Sequence, residues 1–451
     1  MKVAVIGTGP SGATACAELL QLGYEVDNYD IGQLGVKSQG VPKVKRRDGS
    51  VDAYNFGKYL QVHDSDGQQI KLFTSATTGG FSEVWGAAIT FPHKLTSRTL
   101  TLLKFPISEY LYNQGLRTVN RSSHSVPVST PAFTTSILAV DQKLCISCGR
   151  CLIGCPKNAI WSSRSSIENL KLEFENYTLI RDSQILAIKK VDKDYYLEIQ
   201  NWKNKSIIIS EPYTAVFLAA GTIASAAILL NSNLVEKIIL RDTTIFYNIF
   251  WKKKSTRNFK TSTFGLAHQF YQSETPLGIV HIQIYPETKY ALDRYLPAKP
   301  HWLRWLIHNT LFNVFNHFFA ITIGYLPAGS SDQIVLSSCQ HTDKMHLLGM
   351  VDSSQQIQRK ELKRNVNDLI QPVEDYLGFK LWSLATKIGN FGESQHLSLE
   401  KIFNFNDTEK NDGVVLCDGM GQSQEHPGPI TVDLMEVSSA AVRSWSERYP
   451  K

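Results

Sequence analysis

No uninterrupted apolar run in these 451 residues approaches the ~20 that a bilayer-crossing helix requires, so no membrane-spanning helix is expected. The first strand-like run begins at Lys2, so no signal peptide is expected. No basic run is interleaved with aromatic residues, so nucleic acid is not an expected partner. A net charge of +6 is modest for this length; it suits an anionic substrate such as a nucleotide-linked sugar, and equally serves solubility. A disulfide framework is also absent. Only Cys16, Cys339 and Cys417 lie outside one motif, and scattered cysteines read as small buried apolar residues. The compartment expected is therefore reducing, the cytoplasm of a bacterium or archaeon.

What is present begins with Cys145-Ile-Ser-Cys148-Gly-Arg-Cys151-Leu-Ile-Gly-Cys155-Pro156. Four of the seven cysteines fall within eleven residues, separated by two, two and three others. Iron–sulfur clusters need thiolates converging from one tightly turned loop, and this spacing provides them. Zinc sites more often come as two separated cysteine pairs, so the motif is read as a [4Fe-4S] cluster rather than zinc or chance. In two-cluster ferredoxins the fourth cysteine of such a run serves the other cluster, but no second motif exists here. Cys155 closing the same cluster is favoured over a remote Cys339 or Cys417.

The N-terminus carries a phosphate cradle. Lys2–Ile6 reads as a buried parallel strand, followed by Gly7-Thr-Gly9-Pro10-Ser11-Gly12 and a helix over Ala13–Leu22. Gly7 permits the tight turn, Gly9 lets a pyrophosphate approach the backbone, and Gly12 allows close helix–strand packing. The helix N-terminus then faces the diphosphate. A second strand, Tyr24–Tyr29, ends at Asp30, placed to accept hydrogen bonds from a ribose hydroxyl.

Further glycine-marked segments follow. Thr78-Gly79-Gly80-Phe81-Ser82 suits a loop whose backbone lies against a flat ring or phosphate, or a plain turn before a strand. Tyr177–Ile209 alternates like a small β-meander. Tyr213 to Leu230, with Gly221 at its turn, reads as a second strand–helix unit of the same sheet. Gly413 to Gly419 reads as a strand ending in Asp418, and Pro427-Gly-Pro429-Ile-Thr431 introduces a helix over about Val432–Arg443.

In this order the segments resemble the glucose–methanol–choline (GMC) flavoprotein oxidoreductases. The resemblance implies an α/β fold: a Rossmann-like FAD-binding domain, an antiparallel-sheet substrate domain and, in this chain, a small ferredoxin-like insertion. The segments expected are 1–92, 166–240 and 412–451 for FAD, 93–165 for the cluster insertion and 241–411 for the substrate cap. The resemblance puts Asp418, Gly419 and Thr431 near the pyrophosphate and ribityl chain, and Gly79, Gly80 and Ser82 near the flavin ring.

Where the family carries a basic histidine in a pattern like His-Phe-Gly-Gly-Ser, this chain has Asn390-Phe391-Gly392-Glu393-Ser394, with His396 shortly after. Asparagine can orient or polarise but not take a proton at neutral pH. His396 as the acid/base, Asn390 as a hydrogen-bonding group, and neither, all stay open.

On the substrate side, Leu277–Tyr285, Ile321–Tyr325 and Gln333–Leu336 read as cap strands, with His281 and Gln283 on one face facing either a pocket or merely satisfied neighbours. The aromatic segment 300–319, with Trp302, Trp305 and Phe312 among others, either contacts a membrane surface and a lipid-linked substrate or packs within the protein. The function expected is oxidation of a CH–OH group on a small molecule, a sugar or polyol, with electrons leaving through the cluster to a ferredoxin-like or other one-electron carrier. Two alternatives run beside it: ferredoxin-driven reduction of a carbonyl or activated C=C, and a non-catalytic electron-transfer subunit.

Overall fold

The computed structural model describes residues 1–32, 61–70, 72, 74–83, 85–89, 103, 132–135, 137–141, 143–146, 155, 157–252, 267, 269–275, 278–285, 306, 319–326, 331–338, 346–352, 359–377, 379–381, 386–388, 397–403, 412–420 and 431–450. Its central layer is a five-stranded parallel sheet in the order Val414–Leu416, Ala215–Leu218, Lys2–Ile6, Glu25–Tyr29, Tyr177–Ile180. A strand flanked on both sides and covered on both faces must be apolar throughout. Ala215–Leu218 and Val3 to Ile6 are accordingly buried at every position.

Alternate side chains of these strands serve two cores. Val3, Val5 and Phe217 pack with the Pro10–Gln21 and Thr431–Arg448 helices on one face. Ala4, Ile6, Val216 and Leu218 pack with the Thr222–Asn231 helix on the other. Both strand-following helices stop by the same device. Gly23 and Asn233 take positive φ, and the paired bonds Gly23 N–H to Leu20 O with Tyr24 N–H to Leu19 O, and Asn233 N–H to Leu230 O with Leu234 N–H to Leu229 O, close each C-terminus.

Two expectations about element bounds are corrected. Tyr177–Ile180 is not part of the meander but the edge strand of the parallel sheet. Asp182, at φ 58°, breaks the run there, and the antiparallel meander is Ser183–Val191, Asp194–Asn201 and Ile207–Ile209. The C-terminal helix spans Thr431–Arg448 instead of stopping at Arg443, because Trp445 is buried on its inner face.

Two further sheets form the other side of the molecule. One has six strands in the order Ser398–Phe403, Lys237–Arg241, Gln333–Ser338, His346–Asp352, Gln61–His63, Gln69–Ile70. The other runs Phe379–Leu381, Ile245–Lys252, Phe319–Tyr325, Gly278–Tyr285, Gln269–Thr275, Ala132–Thr135 and is antiparallel throughout. The Arg359–Leu377 helix covers one face of that second sheet through Val366, Ile370 and Val373. From the opposite face, Ile249, Tyr285 and Ile321 join the core of the parallel-sheet domain. The second sheet therefore packs against the parallel-sheet domain.

Candidate functional site

The cradle is built as the glycine pattern requires. Gly7 has φ +103°, and a Cβ there would lie 2.3 Å from the Ala219 carbonyl oxygen. A Cβ at Gly12 would lie 2.1 Å from the Gly7 carbonyl oxygen, so strand and helix meet there with no room for a side chain. At Gly9, by contrast, a Cβ would meet nothing within 4 Å. The turn is thus tight on its protein side and open on the side where a ligand would lie. Pro10 opens the helix, where its missing N–H costs nothing, and the remaining first-turn amides stay available to an anion. Behind them, Ser11 O accepts the Ser438 hydroxyl at 2.8 Å and fixes this helix against the C-terminal one.

Asp30 closes the cradle from the second strand. Its Oδ2 accepts the Thr8 N–H at 2.9 Å and the Thr8 hydroxyl at 2.6 Å, and its Oδ1 accepts the Gly32 N–H at 2.5 Å. Burial pushes the carboxyl up to about 6, and the Thr8 and Gly32 hydrogen bonds oppose that rise. Thr8 also links the cradle to the second glycine loop, because its Oγ1 accepts the Gly79 N–H at 3.0 Å.

Gly79 (φ +93°) and Gly80 (φ +55°) open a short 3-10 turn, Gly80–Glu83. Gly80 backs onto Gly9, whose Cα lies 3.4 Å from where a Gly80 Cβ would sit. Ser82 Oγ donates to Gly79 O at 2.6 Å and lies 3.0 Å from Ser163 Oγ. Ser163 is shared by both loops: its hydroxyl lies 2.9 Å from Thr8 O and 3.0 Å from Gly79 O. Arg164 pairs with Glu83 at 2.6 Å, and burial raises the Glu83 carboxyl against the pull of that guanidinium. Thr78 Oγ1, wholly buried, has no hydrogen-bond partner.

Open space at Gly9 and an orphaned hydroxyl at Thr78 are what a bound dinucleotide would use, so the residues present fit FAD. Gly221, at φ +85° and with nothing within 4 Å of its Cβ position, starts the second strand–helix turn. Asp418 holds that turn: its Oδ2 accepts the Gly221 N–H at 2.9 Å and the Ser225 hydroxyl at 2.6 Å, and its Oδ1 accepts the Met420 N–H at 3.0 Å. Burial raises the Asp418 carboxyl, while these three bonds lower it. A Cβ at Gly419 would collide with Thr222 Oγ1 at 2.2 Å, so Gly419 packs directly on the helix start. Thr431 is the first residue of the C-terminal helix.

The cysteine loop is clamped at its neck. Val140 bridges Ile160, Asp141 N–H donates to Ala159 O at 2.7 Å, and Trp161 N–H donates to Ala139 O at 2.9 Å. Asp141 Oδ1 accepts the Lys143 N–H at 2.8 Å and shapes the entry to the loop. Cys145 and Cys155 are half-buried against the parallel-sheet core, and the Ala159 N–H points at Cys155 Sγ, 3.2 Å away. An amide N–H aimed at a thiolate is the donor that tunes a cluster's potential, so these residues fit a [4Fe-4S] group. Cys148 and Cys151 lie outside the described residues. Among the described residues no three metal-binding side chains gather at one point. Cys417 is fully buried in the same core as Cys16, and burial raises its thiol. Cys339 lies outside the described residues.

The neck runs straight into the cradle. Trp161 is buried, its carbonyl accepts the Trp85 Nε1–H at 2.8 Å, and the two indoles meet edge to face at 5.9 Å. Two residues after Trp161 comes Ser163. Thr8, Ser163, Arg164 and Ser225 were not singled out from sequence. The run Ser162-Ser-Arg-Ser-Ser166, a helix-start signal, could have pointed to Ser163.

In the second sheet, the Gly278–Tyr285 strand carries His281 and Gln283, both buried. Tyr285 donates to Gln283 Oε1 at 2.7 Å, and its hydroxyl lies 3.7 Å from the Cβ position of Gly86. His281 Nδ1 lies 3.3 Å from Gln272 Nε2, and its ring stands 5.2 Å from Phe270 and 6.0 Å from Tyr325. Asn390 and His396 lie outside the described residues. So does segment 300–319, apart from exposed Leu306 and the strand that begins at Phe319. No described helix is long and apolar enough to cross a membrane.

Residues 138–161 match the 4Fe-4S binding domain family, Fer4. No curated protein sequence matches the chain. Among solved structures, the chain is similar to pyridoxine 4-oxidase from Mesorbium loti, at 10% identity and a TM-score of 0.58, covering 99% of each chain. It is likewise similar to formate oxidase of Aspergillus oryzae RIB40, from a study of its FAD modification, at 9% identity and a TM-score of 0.61, covering 99% of this chain and 98% of that one. The fold is that of GMC oxidoreductases, as the order of sequence segments implied.

Proposed function

From a GMC-type fold with a four-cysteine loop joined through Ser163 to its glycine loops, we propose an FAD- and [4Fe-4S]-dependent oxidoreductase. It acts on a CH–OH group of a small molecule, a sugar or polyol, and passes electrons through the cluster to an external one-electron carrier. Bound FAD supplies hydride acceptance, and the cluster supplies one-electron exchange. The chain's own residues do the rest. The Gly7–Gly12 turn and the Pro10–Gln21 helix start hold the diphosphate, Asp30 holds the ribose, and Gly79 and Gly80 let the backbone lie against the ring. Cys145, Cys148, Cys151 and Cys155 ligate the cluster. His396 takes the hydroxyl proton, with Asn390 orienting the oxygen.

One observation carries this reading. The chain leaves the cysteine loop through Trp161 and two residues later brings the Ser163 hydroxyl within hydrogen-bonding distance of a carbonyl of each glycine loop. This short link between the cysteine loop and the glycine loops supports electron exchange between a cluster and a flavin held there. A second reading, the reverse direction, is favoured by asparagine at position 390, where the resemblance places a base.

Anaerobic mixing separates them. Oxidation predicts that a sugar or polyol bleaches the flavin band. The reverse reading predicts that dithionite-reduced protein is reoxidised by ketones or enones. Protein lacking either chromophore as purified would overturn both.

A further inference from the structure

The outer side of the cluster loop carries its own recognition chemistry. Leu144 and Ile146 flank Cys145 and are 49% and 58% exposed, unusual for large apolar side chains beside a half-buried ligand. Lys143 and Lys157 are exposed at the two ends of the same loop. From Gln142 to Ile167 the sequence has Lys143, Arg150, Lys157 and Arg164 but neither Asp nor Glu. The nearest acid, Asp141, is engaged with the Lys143 amide, and Arg164 is neutralised inside by Glu83. Trp161, at the end of the loop, is buried and its carbonyl holds the Trp85 indole. Among the described residues of the loop, Lys143, Leu144, Ile146 and Lys157 are exposed beside half-buried Cys145 and Cys155, so they offer a surface that a one-electron partner would meet.

We infer that the loop face formed by Leu144, Ile146, Lys143 and Lys157 is the docking site for an acidic one-electron carrier protein. This rests on the cluster-and-flavin reading above. Small apolar centres with a charged rim suit brief redox encounters, which bury less than most protein–protein interfaces. The lysines steer and the apolar pair makes the close contact. A cluster with four thiolates is itself anionic, which offsets part of the loop's charge and leaves attraction to the solvent-exposed ammonium groups. Each encounter moves one electron. In the proposed direction two encounters with oxidised carrier take both electrons of reduced FAD, whose two protons go to solvent; run in reverse, two reduced carriers and two protons from solvent reduce FAD fully.

The test uses holoprotein carrying both cofactors, an acidic plant-type [2Fe-2S] ferredoxin as carrier, and methyl viologen as a reductant that needs no docking. Binding of oxidised ferredoxin is measured by calorimetry, and reduction of FAD by stopped flow, at low and high salt. Lys143→Glu with Lys157→Glu is expected to weaken ferredoxin binding and slow its reduction of FAD roughly tenfold or more at low salt. Ile146→Ser should weaken binding several-fold, and Lys157→Gln, the mildest change, should do so measurably. Reduction by viologen and the cluster's electron paramagnetic resonance signal should be unchanged in Lys157→Gln. Ferredoxin binding that is equal in wild type and the charge-reversed protein overturns the docking site alone. Viologen that reduces the cluster but not FAD in wild type overturns the cluster-to-flavin reading, and the docking proposal with it.

Discussion

At Asp30 burial and hydrogen bonding pull the carboxyl in opposite directions, and burial wins: the group sits at about 6. The native state therefore holds a proton that the unfolded chain has already released between about pH 4 and 6. A carboxyl raised in the fold contributes stability at low pH that is lost as pH rises through this window, the reverse of a salt-bridged aspartate. In FAD-free protein Asp30→Asn should remove that dependence, worth about 3 kcal/mol across the window, because it cannot ionise. Urea denaturation of both proteins from pH 4 to 7 checks this; parallel curves would refute it. Gly12 makes a separate steric demand. Gly12→Ala sets a methyl 2.1 Å from the Gly7 carbonyl and should cost about 1–3 kcal/mol with reduced FAD content, read from urea midpoints and flavin absorbance.

Among the elements, the cysteine loop divides most cleanly between what the sequence said and what it could not say. Ligand spacing was legible because it is local. The strand–turn–helix units were legible for the same reason, their glycines marking places where a Cβ collides or an amide must be reached. The clamp between residues 139–141 and 159–161 was not legible, nor was Ser163 as the bolt to the cradle, since both depend on pairings across many residues. Tyr177–Ile180 was misread because its alternation fits an edge strand and a meander alike; only Asp182 in the left-handed region separates them. The fourth ligand turns on comparable geometry. Cys155 lies on the clamped loop with an N–H aimed at its sulfur, whereas Cys417 is sealed in a core beside Cys16. Cys155→Ser should lower iron per chain while FAD stays bound, because other elements make the cradle. Cys417→Ala should keep the full iron complement. Iron and sulfide assays on both variants decide it, and iron loss confined to Cys417→Ala would reverse the assignment.

Across the whole molecule, the chain's two ends form one layer. Val414–Leu416 pairs beside Ala215–Leu218, and the C-terminal helix lies on the Pro10–Gln21 helix. Trp445, 1% exposed, stands 5.2 Å from the Phe217 ring and 5.4 Å from that of Tyr24. Ser438 and Ser439 bond Ser11 O and the buried Glu18 carboxylate from the same helix. Removing the helix would uncover that face of the sheet and take the Ser439 hydroxyl from Glu18. Truncating one large side chain in such a core costs about 3–5 kcal/mol, and domains hold only some 5–15. Trp445→Ala should therefore fold weakly and be rescued in part by FAD. A cofactor present at a hundred times its dissociation constant adds about 2.7 kcal/mol to the state that binds it. A chain ending at residue 411 lacks both edge strand and covering helix, and added FAD should not rescue it. Thermal melts with and without excess FAD distinguish the two cases. Stoichiometric FAD binding by the truncated chain would mean that the cradle stands without its C-terminal cover, and that the two ends are not one unit.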